Sequence, residues 1–273
     1  MALWTPAAIT TALWLDAADA DTITLNSGNV SQWGDKSGNS YHATQADSAN
    51  RPAFAASEVI FSNDFLITSD SMVAPSVSVF LVARSTNTDT ARIIDAKGGT
   101  ASSSENGGLM LIQSAVASSG LSWTVSSGGS VNRLNSGTEN EFRGQDTDAI
   151  VAAFYDNANG RQWIEVNAAL KSEAFPGSGF LDRSTSLNEL RIGNSITDAS
   201  PLLGGIREII LVSSAVGLSE KQLIEGYLAW KWGLEAKLPA DHPYKAAAPA
   251  AETPTGLIVA LTSANSITWG WDG

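Results

Sequence analysis

From its first residues to about position 214, the chain sets short apolar runs between clusters of Ser, Thr, Asn, Gly and Asp. Runs of this length, rich in Val, Ile, Phe and Trp and bounded by turn residues, predict an all-β sandwich. The clearest strands are 76–85, 108–114, 121–127, 149–156, 161–170, 188–195 and 205–214. Most of them alternate, with one apolar face. Between two of them, "DNANG" at 156–160 supplies residues that tolerate positive φ at a hairpin tip. The stretch 86–107 ends in "KGGTASSSENG", too polar for a core, and predicts a long exposed loop.

The pattern changes at "LSEKQLIEGYLAWKWGL", where Leu223, Tyr227, Trp230 and Leu234 recur at helical spacing. Ser219 with Gln222 three residues on forms a capping-box arrangement, and Gly233 is placed to end the element, so a helix is expected at about 219–233. Its apolar stripe must be buried, and packing on the sandwich or on a neighbouring subunit accounts for Trp230 and Trp232 better than ligand stacking does. Pro239 and Pro243 prevent continuation, and 246–253 is an Ala/Pro-rich linker. Beyond it, "GLIVAL" and "SITWGW" within 254–273 form a strand pair too small to fold alone. The expected organisation is a sandwich with its closing helix over 1–245, the linker, and an incomplete second module.

Composition narrows the classes. With 273 residues, 43% of them apolar, the chain can bury the core of one large β domain. No apolar run approaches a bilayer span, and the start "MALWTP" has neither a basic n-region nor an h-region, so membrane insertion and a signal peptide are not expected. The absence of cysteine removes disulfides, thiolate metal sites and thiol nucleophiles. There are 28 acidic against 16 basic residues, a net charge of -12, with no Lys/Arg cluster of the kind that binds phosphate backbones. Nucleic acid is therefore not an expected partner. The acidity suits solubility and mutual repulsion between copies at high local concentration. His42 and His242 lie far apart, and neither has a second imidazole at metal-ligand spacing.

Several motifs in order resemble a known family. They are "LWLDAADADTI", "VSQWGDKSGNSYHATQA", "FYDNANGRQWIEVNAAL", "LRIGNS" and "GGIREIILVSSAVGLSEKQLIEGYLAWKWGL", followed by "EAKLPADHPYK". Together they resemble the concanavalin A-like, laminin G-type jelly-roll domain, in the version found in bacteriophage tail, fibre and virion-surface proteins and in some large bacterial surface proteins. The resemblance covers about residues 3–245. It implies a two-sheet antiparallel jelly roll, a place on the phage particle or otherwise outside the cell, and a host cell-surface glycan as partner. It also implies contacts with other virion proteins and a homo-oligomer such as the trimers common among fibres. The tail "TPTGLIVALTSANSITWGWDG" resembles the first two strands of a fibronectin type III module. Where the family often has "NG" after a strand, this chain has Asn167 and Ala168.

The chemistry is weighed against that background, because this fold hosts lectins, glycosidases and pure interaction domains. Glycosidases on it need paired carboxylates, often as an "ExDxE"-like strand. Here Glu165 has no partner two residues away and Asp95 stands alone in "IIDAKG". Nucleophile-elbow, Walker and Rossmann motifs are also missing, so no enzyme is expected. Asp16, Asp19 and Asp21 in "DAADAD", with Asp35 and Asn39 in "WGDKSGN", are hard oxygen ligands of the kind Ca²⁺ takes. The competing reading, which outweighs calcium, is that Asp16 and Asp19 form Asx turns or loop caps and Asp35 bonds its own turn. Apart from that calcium, no cofactor is expected.

Sugars are held by an aromatic platform with amides and carboxylates around it. If Ile164 and Val166 point into the core, Trp163, Glu165 and Arg161 share the opposite face and form the candidate ligand site. The competing reading puts Trp163 beneath the terminal helix or a loop. Trp123 alternates with Leu121 and Val125 and belongs to the core. The loop 86–107 is a second candidate surface. The expected function is a non-enzymatic virion-surface or tail-fibre adhesion domain binding host carbohydrate; the alternative is a capsid or tail decoration or assembly module without a sugar site.

Overall fold

The computed structural model describes residues 2–68, 75–98, 108–116, 119–127, 130–137, 141–179 and 187–251. Within them lie β1 (Leu13–Asp16), β2 (Ile23–Asn26), β3 (Asn29–Trp33), β4 (Ala43–Thr44), β5 (Ala53–Ala55) and β6 (Glu58–Ser62). Then come β7 (Leu66–Thr68), β8 (Val77–Ser85), β9 (Ala91–Gly98), β10 (Leu109–Gln113), β11 (Leu121–Ser127) and β12 (Ser130–Asn135). The chain continues with β13 (Ala149–Asp156), β14 (Arg161–Val166), β15 (Ala169–Ala174), β16 (Leu187–Ile192), β17 (Leu203–Val212) and the helix α1 (Leu218–Trp232). No helix among the described residues is long and apolar enough to cross a membrane.

The strands pair antiparallel in two layers. In the first, β1 and β6 share one edge of β17, whose other edge continues through β8, β13 and β14 to β15. The second runs β12, β11, β10, β9, β16, β7, β4, β3, β2. The β5–β6 hairpin joins them, since Ala53 faces Asn29 of β3 while β6 pairs with β17. This is the all-β jelly-roll sandwich with one helix near its end that the pattern predicts.

Alternation decides which side chains enter the core. On β8, Val77, Val79, Leu81 and Ala83 fill the space between the sheets, and on β13 Val151, Ala153 and Tyr155 join them. Their neighbours Phe80, Val82, Ile150, Ala152 and Phe154 face the other way, under α1. The first sheet is thus buried on both faces, so its central strands read as continuous apolar runs. The helix lays Ile224, Tyr227 and Leu228 on that outer face, and Gly233, at φ 69, ends it in the left-handed region.

Four expectations need correction. The helix N-cap is Gly217, with no side-chain cap, so Ser219 lies inside the first turn and no capping box forms. The buried stripe centres on Ile224 to Ala229, leaving Leu223 and Trp230 half-buried; the buried Glu225 disguises it in the sequence. The stretch 86–107 is not one exposed loop. Ala91, Ile93, Ile94 and Ala96 of β9 are fully buried, while 99–107 lies outside the described residues. In the sequence the short apolar pair Ile93 and Ile94 is outweighed by the polar tail that follows it. Finally, 161–170 is not one strand, because Asn167 (φ 53) and Ala168 (φ 62) turn the chain from β14 into β15.

The first part of the Ala/Pro-rich segment returns to the N-terminus. Leu3 and Ala250 form a β-bridge, the Trp4 amide donates to the Pro249 carbonyl at 2.9 Å, and the Ala251 amide to that of Ala2 at 2.9 Å. The strand pair expected at 254–273, and with it the fibronectin-like resemblance, lies outside the described residues.

Candidate functional site

On β14, Ile164 and Val166 point between the sheets, and the pleat sends Arg161, Trp163 and Glu165 to the outer face. There they line a depression of about 390 Å³, together with Asp156 at the end of β13, Lys221 of α1 and residues 215–218 leading into the helix. The sheet brings the strand residues together, and the helix supplies the lysine.

Trp163 is the floor of this depression. It is 7% exposed, its ring stacks on Phe154 with centroids 4.5 Å apart, and the Arg161 guanidinium lies 4.3 Å from its centroid. Its indole N–H donates to Glu165 Oε1 at 3.1 Å. Arg161 is held in turn by Glu173 on β15, at 2.6 Å. The polar edge of the site is therefore positioned before any ligand arrives.

Lys221 sits between two carboxylates, 2.6 Å from Glu165 Oε2 and 3.1 Å from Glu225 Oε1. Glu225 is fully buried, with His242 Nε2 3.4 Å away on its other side. Burial, and next the neighbouring Glu225, push the Glu165 carboxyl up to about 7, against the pull of Lys221. Glu225 moves the other way: burial raises it, but His242 and Lys221 outweigh burial and hold it below the usual range. Burial works against the Lys221 ammonium, yet the two carboxylates raise it. Asp156 is spent on its own hairpin tip, accepting from the Ala158 amide at 3.0 Å and Asn159 Nδ2 at 2.6 Å. Near neutral pH the depression thus offers a guanidinium, an ammonium and a carboxyl able to donate or accept.

Two exposed apolar side chains stand near it. Leu218, which lines the depression, is 67% exposed, and Phe175, just after β15, is 68% exposed. Ala174 pairs with Gln162 at the end of the ladder, and the Gly177 amide donates to the Gly160 carbonyl, so Phe175 lies in the short stretch between these two links, at the Arg161 end of β14. Sequence reasoning did not single out Lys221, Leu218 or Phe175. The signal available was "AFPG", an aromatic left on a strand end before a turn.

The other candidates are placed elsewhere. Asp16 Oδ1 accepts from the Ala18 amide at 3.0 Å and from Lys231 at 2.5 Å, and its Oδ2 faces Lys36 at 2.9 Å. Asp19 also contacts Lys36, at 2.7 Å, and Asp21 lies in the single turn Ala20–Thr22. Ammonium groups therefore occupy the positions around Asp16 where a cation would sit. Asp35 accepts from the amides of Trp14, Ser37 and Tyr41 and from the Ser37 hydroxyl, and its own amide donates to His42 Nδ1. Among the described residues no group of three or more His, Asp or Glu side chains is arranged to hold a metal ion. Asp95 is buried, accepting from the Ile196 amide at 3.0 Å, and Trp123 is fully buried between the sheets.

No family model and no curated protein matches the chain. Solved structures do. A Trypanosoma rangeli sialidase in complex with sialic acid aligns at 11% identity over 85% of this chain and 34% of that one, with a TM-score of 0.54. The binding domain of botulinum neurotoxin DC in complex with SialylT aligns at 15% identity over 80% of this chain and 52% of that one, with a TM-score of 0.52. The same toxin domain in complex with rat synaptotagmin II aligns at 16% identity and a TM-score of 0.51 over the same shares. The chain spans about half of the toxin domain and a third of the sialidase, and at these identities the likeness is one of fold.

Proposed function

We propose that the chain is a non-enzymatic carbohydrate-binding module that holds a host cell-surface glycan in the outer-face depression beside α1. The observation that carries this reading is the convergence of Arg161, Trp163, Glu165 and Lys221 on one concavity, with the exposed Phe175 one residue past the end of the neighbouring strand β15. Sugar hydroxyls are bound by paired donors and acceptors, and a sugar's apolar face by an exposed ring. Arg161, Lys221 and Glu165 supply the first. Phe175 supplies the second in place of Trp163, whose ring is already covered. Structures of the same fold in complex with sialic acid and with SialylT support the choice of ligand class. We place the module on a phage tail or virion surface, assembled with further copies and other virion proteins, on the strength of the motif order "LWLDA", "WGDKSGN" and "YLAWKWGL".

The test is a glycan array read with calcium and with a chelator, comparing the wild type with Arg161→Ala and Phe175→Ser. Saturable binding to a subset of glycans is expected, weakened about tenfold or more in Arg161→Ala, since a lost hydrogen bond to a charged group costs about 1.5–3 kcal/mol, and about two- to tenfold in Phe175→Ser, since a lost ring contact costs about 0.5–1.5 kcal/mol beyond its buried area. Chelation should change nothing, because lysines occupy the space around Asp16. Binding that both variants retain would displace the site. Silence across the array would favour the assembly module, for which the exposed Leu170, Phe175 and Leu218 would be the contact residues. Antibody labelling of intact particles checks the location.

A further inference from the structure

Beneath the C-terminal half of α1 lies a second group of ionisable side chains that takes no part in the depression. Asp16 of β1 and Glu208 of β17 are direct cross-strand partners, an arrangement that repels unless a cation is placed between them. Lys231 of α1 is that cation, 2.5 Å from Asp16 Oδ1 and 2.8 Å from Glu208 Oε2. Glu208 is fully buried and oriented by three more donors: Trp14 Nε1 at 2.8 Å and the Tyr227 hydroxyl at 2.8 Å on one oxygen, Trp232 Nε1 at 2.7 Å on the other. The Lys231 ammonium lies 5.2 Å from the Tyr227 ring centre and 5.0 Å from that of Trp232. On the far side of Asp16, Lys36 meets Oδ2 at 2.9 Å.

We propose that Lys231 and Asp16 condense to an intramolecular isopeptide bond, with Glu208 as the catalytic acid–base, covalently joining β1 to α1. A carboxyl C–O bond of about 1.23 Å puts the Lys231 nitrogen no more than about 3.7 Å from Asp16 Cγ, at the edge of the near-attack range of about 3–3.5 Å. The ammonium passes one proton to Asp16 Oδ1 across their 2.5 Å contact, leaving a neutral amine and a neutral carboxyl, and the freed nitrogen lone pair attacks Cγ to form the C–N bond. Negative charge then grows on Oδ2, where the Lys36 ammonium faces it. Glu208 takes a second proton from the nitrogen and delivers it to Oδ1, and the Cγ–Oδ1 bond breaks as water leaves. Of the three ammonium protons, two depart in the water and one stays on the amide nitrogen. The reaction needs no oxidant and no further reactant.

Three features favour this outcome over a permanent ion pair. Burial raises the Glu208 carboxyl despite Lys231 beside it, which suits a group that must hold a proton in transit. Asp16 is 4% exposed and Glu208 fully buried, so water for the reverse hydrolysis is scarce. Condensation also replaces a buried ammonium and carboxylate, costly to desolvate, by a neutral amide. Asp16 is the electrophile because it is nearer to Lys231 than Glu208 is and is polarised by Lys36.

Intact-mass measurement of the purified full chain under denaturing conditions tests the proposal, followed by tandem mass spectrometry of a protease digest. The expected product is one water lighter than the sequence mass, with a branched peptide joining the Asp16 and Lys231 segments. Lys231→Arg keeps the charge but cannot condense, and should show its full mass with an unchanged circular-dichroism spectrum. Glu208→Gln should leave the bond unformed, and Asp16→Asn should lose one ammonia in place of water. A wild-type chain at full mass after prolonged incubation in the folded state overturns the proposal. So does a water loss that survives Lys231→Arg, or a cross-link located at Glu208.

Discussion

Lys221 binds two glutamates whose surroundings push them in opposite directions, and the pH dependence of stability follows from that difference. Glu165 titrates at about 7 in the folded chain against 4.5 ordinarily, so between those values the folded state holds a proton that the unfolded state has lost. Its contribution to stability is present in full below about 4.5 and is lost as the pH rises through about 7. Glu225, held below its ordinary range, contributes above it and loses that contribution as the pH falls. In Glu165→Gln the first effect disappears. Differential scanning calorimetry from pH 5 to 8 should show a melting temperature that falls by a few degrees more in the wild type than in the variant, at about 2–4 °C per kcal/mol for a chain of this size. Parallel slopes would mean that Glu165 is ionised throughout this range.

At the scale of elements, the turn between β14 and β15 carries a correctable cost. Both of its residues have positive φ, a conformation that asparagine tolerates and alanine does not favour. Asn167 also receives the Ile150 amide at 3.1 Å and donates to Glu141 at 2.5 Å, so its side chain is committed. Ala168→Gly should therefore stabilise the chain by about 0.5–1 kcal/mol, visible as a small upward shift of the urea midpoint. An unchanged or lowered midpoint would show that the alanine methyl, packed against the cluster under the helix, matters more than the strain. Gly193 is the opposite case. It follows β16 at φ 89, and a Cβ there would stand 2.2 Å from the buried Phe61 ring. Gly193→Ala should cost about 3 kcal/mol or more through strain and overpacking together, and a urea midpoint within error of wild type would refute the contact.

For the molecule as a whole, α1 completes the fold. Without it the outer face of the first sheet would expose Phe80, Val82, Ile150, Phe154, Ile210 and Val212 to water. A chain ending at Val216 is expected to bind a hydrophobic dye and to sediment as aggregates, while the full chain does neither. A monodisperse, cooperatively melting truncation would show that the sandwich stands without its helix. The same packing relates the two groups of ionisable side chains: one helix delivers Lys221 to the depression and Lys231 to the pair of β1 and β17, ten positions apart on its axis.

The sequence by itself determined the fold class, six of the strands and the β14 part of a seventh, the helix and its terminating glycine, because period, turn residues and positive-φ positions are local properties that each segment states about itself. It also determined that Arg161, Trp163 and Glu165 share a face, since alternation along one strand is local too. What it could not reveal were the partners. That Trp163 is covered by Phe154, that β9 threads the centre of a sheet, and that Lys221 meets Glu165 from 56 positions away and Lys231 meets Asp16 from 215 depend on which strands and helix pack together. The short strands β1 to β7 escaped for the same reason: two to five residues carry too little period to be seen until neighbouring strands supply their hydrogen bonds. Tertiary structure alone decided whether a charged side chain in this chain meets solvent, a ligand or another charge, because burial and proximity belong to the packed molecule and not to any segment of it.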